Sequence, residues 1–426
     1  MKQEYSKGFD AVYGYDSVKE ELCHILDCMN NIDKYKKLGA TVPHGLLLIG
    51  APGVGKTLLS SCFMKMSNRN QFVVDSACRN SEICGRISAT FLEASKNQPS
   101  IILIDDCDKY ASKEDREGTF RVLQNEIDKI KNKNVFVIGT ANEDIFPASL
   151  KRSGRFDYLI IIQKPGFDVR TKFTQNLLDK LPLDETVKAE DVSGLLNGKS
   201  CADIVSFFND VAISAAYRNA DKIGIKDIVA AYTKTQSSDD VLDWYSDLNK
   251  ELAKEIAYHE VGHLLVSEAI EKGSIGFVSI IDYKNRNSYC VTNKDINDSR
   301  LTLLVLLGGK VSYEMEYGKL ASGCSDDLKK ACDICSFNLS LNGTGGYNLL
   351  VRDEDSTTLE TRVTIGVELH KATYIVQELI ALNKGFIEEA VKLLISKGYI
   401  LLSEIKKIEE KHPINNKPVV SFLNSK

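Results

Sequence analysis

Two histidines and a glutamate in the second half of the chain have the spacing of a metal-binding helix. The segment IAYHEVGHLLVSEAI places His259, Glu260 and His263 in the pattern H-E-x-x-H. Because residues i and i+4 share one face of a helix, both imidazoles can bind one Zn²⁺. Glu260 is then offset toward the open position of the metal, where it can accept a proton from an activated water. The alternative is an amphipathic helix with two solvated histidines, and the apolar residues around both histidines disfavour it.

A zinc site of this type needs a third protein ligand, which the spacing leaves open. The extension H-E-x-x-H-x-x-G-x-x-H is absent, because Val266 and Ala269 occupy the two positions that it requires. We therefore expect a carboxylate further along the chain. The candidates are Glu268, Glu271, Glu314, Glu316, Asp326 and Asp327.

A glycine-rich segment in the first half of the chain fits the phosphate-loop pattern G-x-x-x-x-G-K-[ST]. It follows an apolar strand and precedes a helix, so its backbone N–H groups can turn toward phosphate oxygens at a helix N-terminus. We expect Lys56 to reach the β- and γ-phosphates of ATP and Thr57 to hold Mg²⁺. A glycine-rich turn that matches by chance is the alternative, and the strand and helix around it disfavour that reading. The predicted nucleotide-binding residues are Gly50, Ala51, Pro52, Gly53, Val54, Gly55, Lys56 and Thr57.

Two carboxylates at the end of a second apolar run complement the phosphate loop. In IILIDD, Asp105 and Asp106 follow four apolar residues. We expect Asp105 to bind Mg²⁺ through water and Asp106 to orient the water that attacks the γ-phosphate. Alone, the segment is also typical of a buried strand that leads into an acidic loop, but the phosphate loop favours the catalytic interpretation.

The elements that must position these residues form two kinds of region. Short β-rich runs alternate with helical segments up to about residue 164, which predicts a parallel α/β sheet. The five runs are 45–50, 71–75, 101–105, 135–140 and 158–162. Residues 165–234 have helical patterns only, 235–247 are polar and acidic like a linker, and 248–426 are mainly helical with one hairpin-like patch at 275–292. The predicted fold is an α/β nucleotide-binding core, a helical subdomain and a mainly α-helical metal-binding domain.

Composition excludes several classes of function. The 54 basic and 59 acidic residues give a net charge of −5, without a basic run, so nucleic-acid binding has no electrostatic support. The 11 cysteines are scattered and odd in number, which indicates reduced thiols. The polar start of the chain and the short apolar runs predict no signal peptide and no intrinsic membrane anchor, and hence a cytoplasmic protein.

The order of these motifs resembles that of the FtsH family of AAA+ ATP-dependent zinc metalloproteases. The likeness runs through VPHGLLLIGAPGVGKTLL, TANEDIFPASLKRSGRFD, KEIAYHEVGH, LLGGK and SGCSDDLKKA, in that order, and covers nearly the whole chain. It implies an AAA+ core at 1–164 with a helical lid at 165–234, a linker at 235–247 and a zinc metallopeptidase domain at 248–426. It also implies Zn²⁺, ATP and Mg²⁺ as cofactors and proteins as substrates.

The resemblance assigns further roles that spacing alone leaves open. Asn142 matches the sensor that positions the attacking water. Arg152 and Arg155 match arginines that reach into a neighbouring subunit's nucleotide site, which implies a homohexameric ring. The third zinc ligand of the family is an aspartate in a segment similar to SGCSDDL, and the matching position is Asp327.

The sequence departs from the family's pattern at four places. The chain begins at the ATPase domain, whereas the family has membrane-spanning helices before it. Asp106 stands where glutamate is usual, and the shorter side chain places its carboxylate about 1.5 Å further back, which slows hydrolysis. The segment SACRNSEICG (76–85) has no aromatic residue where the family's substrate-gripping pore loop has one, and Asp128-Lys129-Ile130 replaces an Asp-Gly-Phe signalling segment.

Three hypotheses follow from these patterns. In the first, the protein is an ATP-dependent zinc metalloprotease that unfolds and cleaves proteins, with Glu260 as the general base. In the second, it is a zinc peptidase with weakened unfolding activity that acts on unstructured polypeptides. In the third, it is a non-proteolytic AAA+ remodelling or scaffold ATPase, which the intact His259, Glu260, His263 and Asp327 disfavour.

Overall fold

The structure is a computed structural model that describes residues 8–74, 80–109, 116–233, 250–280, 289–294, 296–320, 323–339 and 359–424. The chain divides into two compact units. The first comprises residues 1–173 and 198–206, and the second comprises residues 174–197 and 207–426. The predicted domain boundaries remain predictions.

The first unit is built on a parallel sheet of five strands in the order β2-β3-β4-β1-β5. Each of the five β-rich runs predicted from the sequence forms a strand of this sheet. The strands are β1 (Gly45–Gly50), β2 (Asn70–Val74), β3 (Ser100–Ile104), β4 (Val135–Ala141) and β5 (Tyr158–Ile162).

Both faces of this sheet are covered. Leu47 and Ile49 of β1 belong to one apolar cluster, and Leu46 and Leu48 belong to another, because successive side chains of a strand point to opposite faces. Burial on both faces explains why β1, β3 and β4 are continuous apolar runs. The helices of this unit include α1 (Asp16–Asn30), α2 (Ile32–Lys36), α3 (Lys56–Met66), α4 (Asn80–Lys96), α5 (Arg116–Lys129) and the start of α6 (Phe167–Leu178).

The topology gathers the nucleotide motifs at one edge of the sheet. β3, β4 and β1 are neighbours and parallel, so their carboxyl ends meet. The phosphate loop follows β1, Asp105 and Asp106 follow β3, and Asn142 follows β4. Three segments far apart in sequence therefore converge there.

The second unit is mainly helical with a small antiparallel sheet in the order β7-β6-β8. Its strands are β6 (Ile275–Ser279), β7 (Tyr289–Thr292) and β8 (Tyr399–Leu401); β6 and β7 lie in the patch predicted to be hairpin-like. Its helices include the end of α6, α7 (Ala189–Leu195), most of α8 (Cys201–Tyr217), α9 (Ile225–Thr233), α10 (Lys250–Ile270), α11 (Ser299–Tyr317), α12 (Ser325–Phe337), α13 (Leu359–Leu382), α14 (Lys384–Lys397), α15 (Leu402–Lys411) and α16 (Lys417–Asn424).

Two glycines allow α10 and α11 to cross at backbone contact. A Cβ atom on Gly262 would lie 2.2 Å from the carbonyl oxygen of Gly308, and one on Gly308 would lie 2.6 Å from the carbonyl oxygen of Gly262. Any larger residue at either position would push the helices apart. Because α10 carries the H-E-x-x-H pattern, this close crossing places the backbone of α11 directly beneath the two histidines.

Two predicted segments lie outside the described residues. They are the linker at 235–247 and residues 76–79 of the segment without an aromatic residue. Among the residues that the structure describes, no helix is both long and apolar enough to cross a membrane.

Candidate functional site

The phosphate loop is closed around the ammonium group of Lys56. Lys56 Nζ donates hydrogen bonds to the carbonyl oxygens of Gly50 and Ala51, at 2.7 and 3.1 Å. Gly53 and Gly55 have φ values of 77° and 100°, a conformation that only glycine adopts readily. Gly53 also has no room for a side chain, since a Cβ atom would lie 2.5 Å from Ser200 Oγ.

Two side-chain hydrogen bonds link this lysine through Asn142 to Asp108. Lys56 Nζ donates to Asn142 Oδ1 at 2.9 Å, and Asn142 Nδ2 donates to Asp108 Oδ2 at 3.0 Å. Burial lowers the pKa of Lys56, although the charges of Asp106, Asp108 and Asp105 oppose that shift. The structure thus brings the predicted sensor residue to the phosphate loop.

The carboxylate of Asp105 faces the hydroxyl group of Thr57. Thr57 Oγ1 lies 3.3 and 3.4 Å from the two carboxylate oxygens of Asp105, and Thr140 Oγ1 donates to Asp105 Oδ1 at 2.5 Å. A hydroxyl group beside a carboxylate is the pair that holds Mg²⁺ in phosphate-loop ATPases. The donor set fits the ion that the family pattern requires.

Asp106 is held at its backbone and at its side chain. It has a φ of 51°, and its N–H donates to Thr140 Oγ1 at 2.8 Å. Its Oδ2 atom accepts a hydrogen bond from Lys109 Nζ at 2.6 Å. The carboxylate expected to orient water therefore already has a cationic partner.

The two arginines expected to reach a neighbouring subunit differ in their surroundings. Arg155 forms a bidentate pair with Asp128, with Nε to Oδ1 at 3.0 Å and Nη2 to Oδ2 at 2.8 Å, and it also donates to the carbonyl oxygen of Ser149. The hydrogen bond from Arg155 and that from Lys131 lower the pKa of Asp128 to about 2, although burial acts to raise it. Arg152 is exposed.

Three side chains in the second unit converge with the geometry of a metal site. His263 Nε2 lies 3.1 Å from His259 Nε2, and Asp327 Oδ2 lies 3.3 Å from His259 Nε2 and 3.2 Å from His263 Nε2. Ligands about 2.0–2.1 Å from a tetrahedral zinc ion are about 3.3 Å apart. The three distances match one face of such a tetrahedron, so the residues fit Zn²⁺.

Residues around the histidines orient and support them. His263 Nδ1 lies 2.7 Å from the carbonyl oxygen of Val305, which favours a proton on Nδ1 and leaves Nε2 free to bind a metal. Gly309 lies directly beneath both rings: a Cβ atom there would be 2.5 Å from His263 Nε2 and 2.6 Å from His259 Cε1. The second glycine of the LLGGK segment therefore makes space for the imidazoles.

The electrostatics of the cluster favour a cation. Burial would lower the pKa of His263, but the hydrogen bond and charge of Asp327 and the charge of Glu260 outweigh it and raise the pKa. Burial would likewise raise the pKa of Asp327, but hydrogen bonds and charges from His259 and His263 lower it. A site that stabilises extra positive charge on its imidazoles would also stabilise a divalent ion.

Glu260 is 4% exposed and has a thiol beside it. Cys290 Sγ, on β7, donates to Glu260 Oε2 and to the carbonyl oxygen of Glu260, both at 3.4 Å. Burial and the charge of Glu260 raise the pKa of Cys290, so the group is a neutral thiol at physiological pH. The spacing of the motif gave no sign of this contact.

The other carboxylates that spacing left open have different surroundings. Among the described residues, the only cluster with metal-ligand geometry is His259, His263 and Asp327. Glu268 accepts hydrogen bonds from backbone N–H groups, and Asp326 is exposed. Glu271, Glu314 and Glu316 pair with Lys294, Lys310 and Lys254, respectively.

Comparison with known proteins assigns each half of the chain to a family. Residues 46–164 match the ATPase family associated with various cellular activities (AAA), and residues 247–397 match peptidase family M41. The chain belongs to the FtsH-like family of ATP-dependent zinc metalloproteases. Members of this family depend on ATP and on zinc.

Relatives cover most of the chain at modest identity. The ATP-dependent zinc metalloprotease FtsH 2 of Thermoanaerobacter is 29% identical, and the match covers 94% of this chain and 82% of the relative. The FtsH proteins of Slackia heliotrinireducens and Leptotrichia buccalis are 32% and 29% identical, over 76% and 94% of this chain. The chain spans only 44% and 56% of those two relatives.

Proposed function

We propose that this FtsH-like chain is an ATP-dependent zinc metalloprotease that degrades protein substrates. The observation that carries the proposal is the convergence of His259, His263 and Asp327 at distances of 3.1–3.3 Å, with Glu260 next to His259 on the same helix. That arrangement combines three ligand atoms for one ion with a carboxylate that can act as a general base.

In this proposal, each side chain has a defined part in peptide-bond hydrolysis. A Zn²⁺ ion bound by the three ligands would supply a water of lowered pKa and polarise the scissile carbonyl group. Glu260 accepts the proton of the attacking water on its carboxylate and passes it to the leaving amine. Val305 holds His263 through its carbonyl oxygen, and Cys290 restricts the carboxylate of Glu260.

The nucleotide site would power the delivery of substrate. Residues Gly50 to Thr57 hold the phosphates, and Thr57 with Asp105 holds Mg²⁺. Asp106 and Asn142 position the attacking water. Arg152 and Arg155 would act on a neighbouring subunit's nucleotide in a homohexameric ring, and we place this ring in the cytoplasm. The net charge of −5 gives no support to a nucleic-acid partner.

Zinc analysis and proteolysis of casein test the proposal. Purified protein should contain about one zinc per chain and should cleave casein with ATP in a reaction that EDTA stops. A Glu260→Gln variant keeps the three ligands, so it should retain zinc and lose cleavage. If the protein binds zinc and hydrolyses ATP but does not cleave casein, the protease proposal fails for this substrate and a remodelling or scaffold ATPase is favoured.

A second candidate is a zinc peptidase with weak unfolding activity. The ion pair between Asp106 and Lys109 favours it, because the carboxylate expected to activate water is already bound. Such a protein should cleave an unstructured polypeptide equally well with ATP and with a non-hydrolysable analogue, and should leave a stably folded substrate intact. A strict requirement for hydrolysis with the unstructured substrate would exclude it.

A further inference from the structure

A short turn fixes Lys109 over the carboxylate of Asp106. Residues Cys107–Lys109 form one turn of 3₁₀ helix, and the N–H of Lys109 donates to the carbonyl oxygen of Asp106 at 2.9 Å. The side chain of Lys109 then folds back, and its Nζ lies 2.6 Å from Asp106 Oδ2. Backbone and side-chain contacts thus join the same two residues.

Asp106 has little freedom to leave this contact. Its left-handed φ of 51° is uncommon for a residue with a side chain, and the bond from its N–H to Thr140 Oγ1 holds that conformation. With its backbone fixed from the β4 side, the carboxylate can change position only by rotating its side chain. Its Oδ2 atom would have to leave Lys109 to accept a hydrogen bond from water unhindered.

We propose that Lys109 is a positioning residue that restrains Asp106 and slows ATP hydrolysis. This inference rests on the proposed ATPase activity. An ammonium group on Oδ2 competes with the attacking water for that oxygen and makes the carboxylate a weaker acceptor. The side chains are 60% and 28% exposed, and such ion pairs are weak, so the restraint is modest and reversible.

A different role for Lys109 makes a distinguishable prediction. Its charge acts on the ammonium group of Lys56, so Lys109 lies within electrostatic reach of the phosphate loop. If Lys109 bound phosphate, its removal would raise KM and lower kcat. If Lys109 restrains Asp106, its removal raises kcat and leaves KM nearly unchanged, because the nucleotide contacts persist.

The test compares the steady-state ATPase activity of the full chain with that of three variants. Lys109→Ala should raise kcat about two- to five-fold, with KM and the affinity for a non-hydrolysable ATP analogue within about two-fold of wild type. Lys109→Arg retains the cation and should behave like wild type. Lys65→Ala removes an exposed lysine of α3 in the same unit and should change neither constant.

The outcomes separate this inference from the proposed function. An unchanged or lower kcat in Lys109→Ala overturns the restraint, while ATP hydrolysis and zinc-dependent cleavage by wild type would still support the protease. Activity in Lys109→Ala but not in wild type is the strongest support. If neither protein hydrolyses ATP although both bind the analogue, the restraint and the ATPase part of the proposal fail together, and EDTA-sensitive cleavage alone then tests the peptidase.

Discussion

His263 on α10 and Asp327 on α12 meet with Nε2 and Oδ2 3.2 Å apart. Asp327 is in the first turn of α12, and its neighbour Asp326 is exposed. The contact makes Asp327 a ligand candidate and gives Asp326 no such role. Two adjacent carboxylates of the same type therefore provide a matched pair for experiment.

We expect Asp327→Asn to lose zinc and Asp326→Asn to keep it. Asparagine is neutral and a poorer zinc ligand than a carboxylate, so zinc affinity should fall by about 100-fold or more, and cleavage should fall with it. Elemental analysis and competition with a chelator measure both variants. Zinc retained in Asp327→Asn but lost in Asp326→Asn would instead identify Asp326 as the third ligand.

Replacing Gly309 with alanine should also remove zinc, although glycine is not a ligand. The new methyl group would lie 2.5 Å from His263 Nε2, so the imidazoles must move or α10 and α11 must separate. Overpacking of this kind costs about 1–3 kcal/mol of unfolding free energy. Zinc content and thermal unfolding check both effects.

Gly366→Ala is the control for that substitution. Gly366 lies within α13 and has open space around it, so alanine there should raise stability by about 0.5–1 kcal/mol and leave zinc content unchanged. If Gly309→Ala resembles Gly366→Ala in zinc content and stability, the histidines do not need the space beneath them.

The sequence predicted the parts of the molecule that depend on local pattern. Apolar runs located the strands of the parallel sheet to within one residue, because burial on both faces demands them. The i, i+4 spacing of His259 and His263 likewise gave the metal helix. Asp327 was different: spacing left six carboxylates open, and only the family resemblance selected it, since a contact between distant helices leaves no local pattern.

Contacts that depend on backbone geometry were not predictable. Lys109 reaches Asp106 because the backbone of Asp106 is in the left-handed region and a 3₁₀ turn follows it. Neither feature can be predicted from the residue types. Gly309 matters because α10 and α11 cross closely, which depends on two other glycines. The pairing of Arg155 with Asp128 also required the folded structure.

The buried carboxyl group of Glu268 should make stability depend on pH. Glu268 is 5% exposed, and burial together with the neighbouring Glu409 raises its pKa from 4.5 to about 7. The folded state therefore binds more protons than the unfolded state between about pH 4.5 and 7. Stability should fall as pH rises through this range, by about 3 kcal/mol, and stay level above it.

Glu268→Gln removes that titration. Whatever its stability at pH 5, the variant should show a smaller fall in Tm between pH 5 and pH 8 than wild type. Glu271→Gln, at an exposed carboxylate one residue beyond α10, should keep the slope of wild type. Equal slopes in all three proteins would mean that Glu268 is ionised throughout the range.

The arginines of the KRSGRFD segment should separate into one that stabilises the fold and one that does not. Arg155 makes a bidentate pair with Asp128 and is 15% exposed, so Arg155→Ala should cost about 1–3 kcal/mol. Arg152 is exposed, so Arg152→Ala should stay within about 0.5 kcal/mol of wild type. Urea unfolding of both variants, of Asp128→Ala and of the Arg155→Ala/Asp128→Ala double variant measures the coupling between Arg155 and Asp128.

The pH dependence of that pair follows from Asp128. Its folded-state pKa is lowered from 3.8 to about 2. The pair's contribution to the free energy of unfolding is therefore complete above about pH 4 and is lost as pH falls toward 2. Arg155→Ala should therefore lose less stability on acidification than wild type. If Arg152→Ala lowers ATPase activity at unchanged stability, Arg152 serves hydrolysis and not the fold. Equal destabilisation by both variants would contradict the prediction, because Arg155 would then contribute no more to stability than the exposed Arg152.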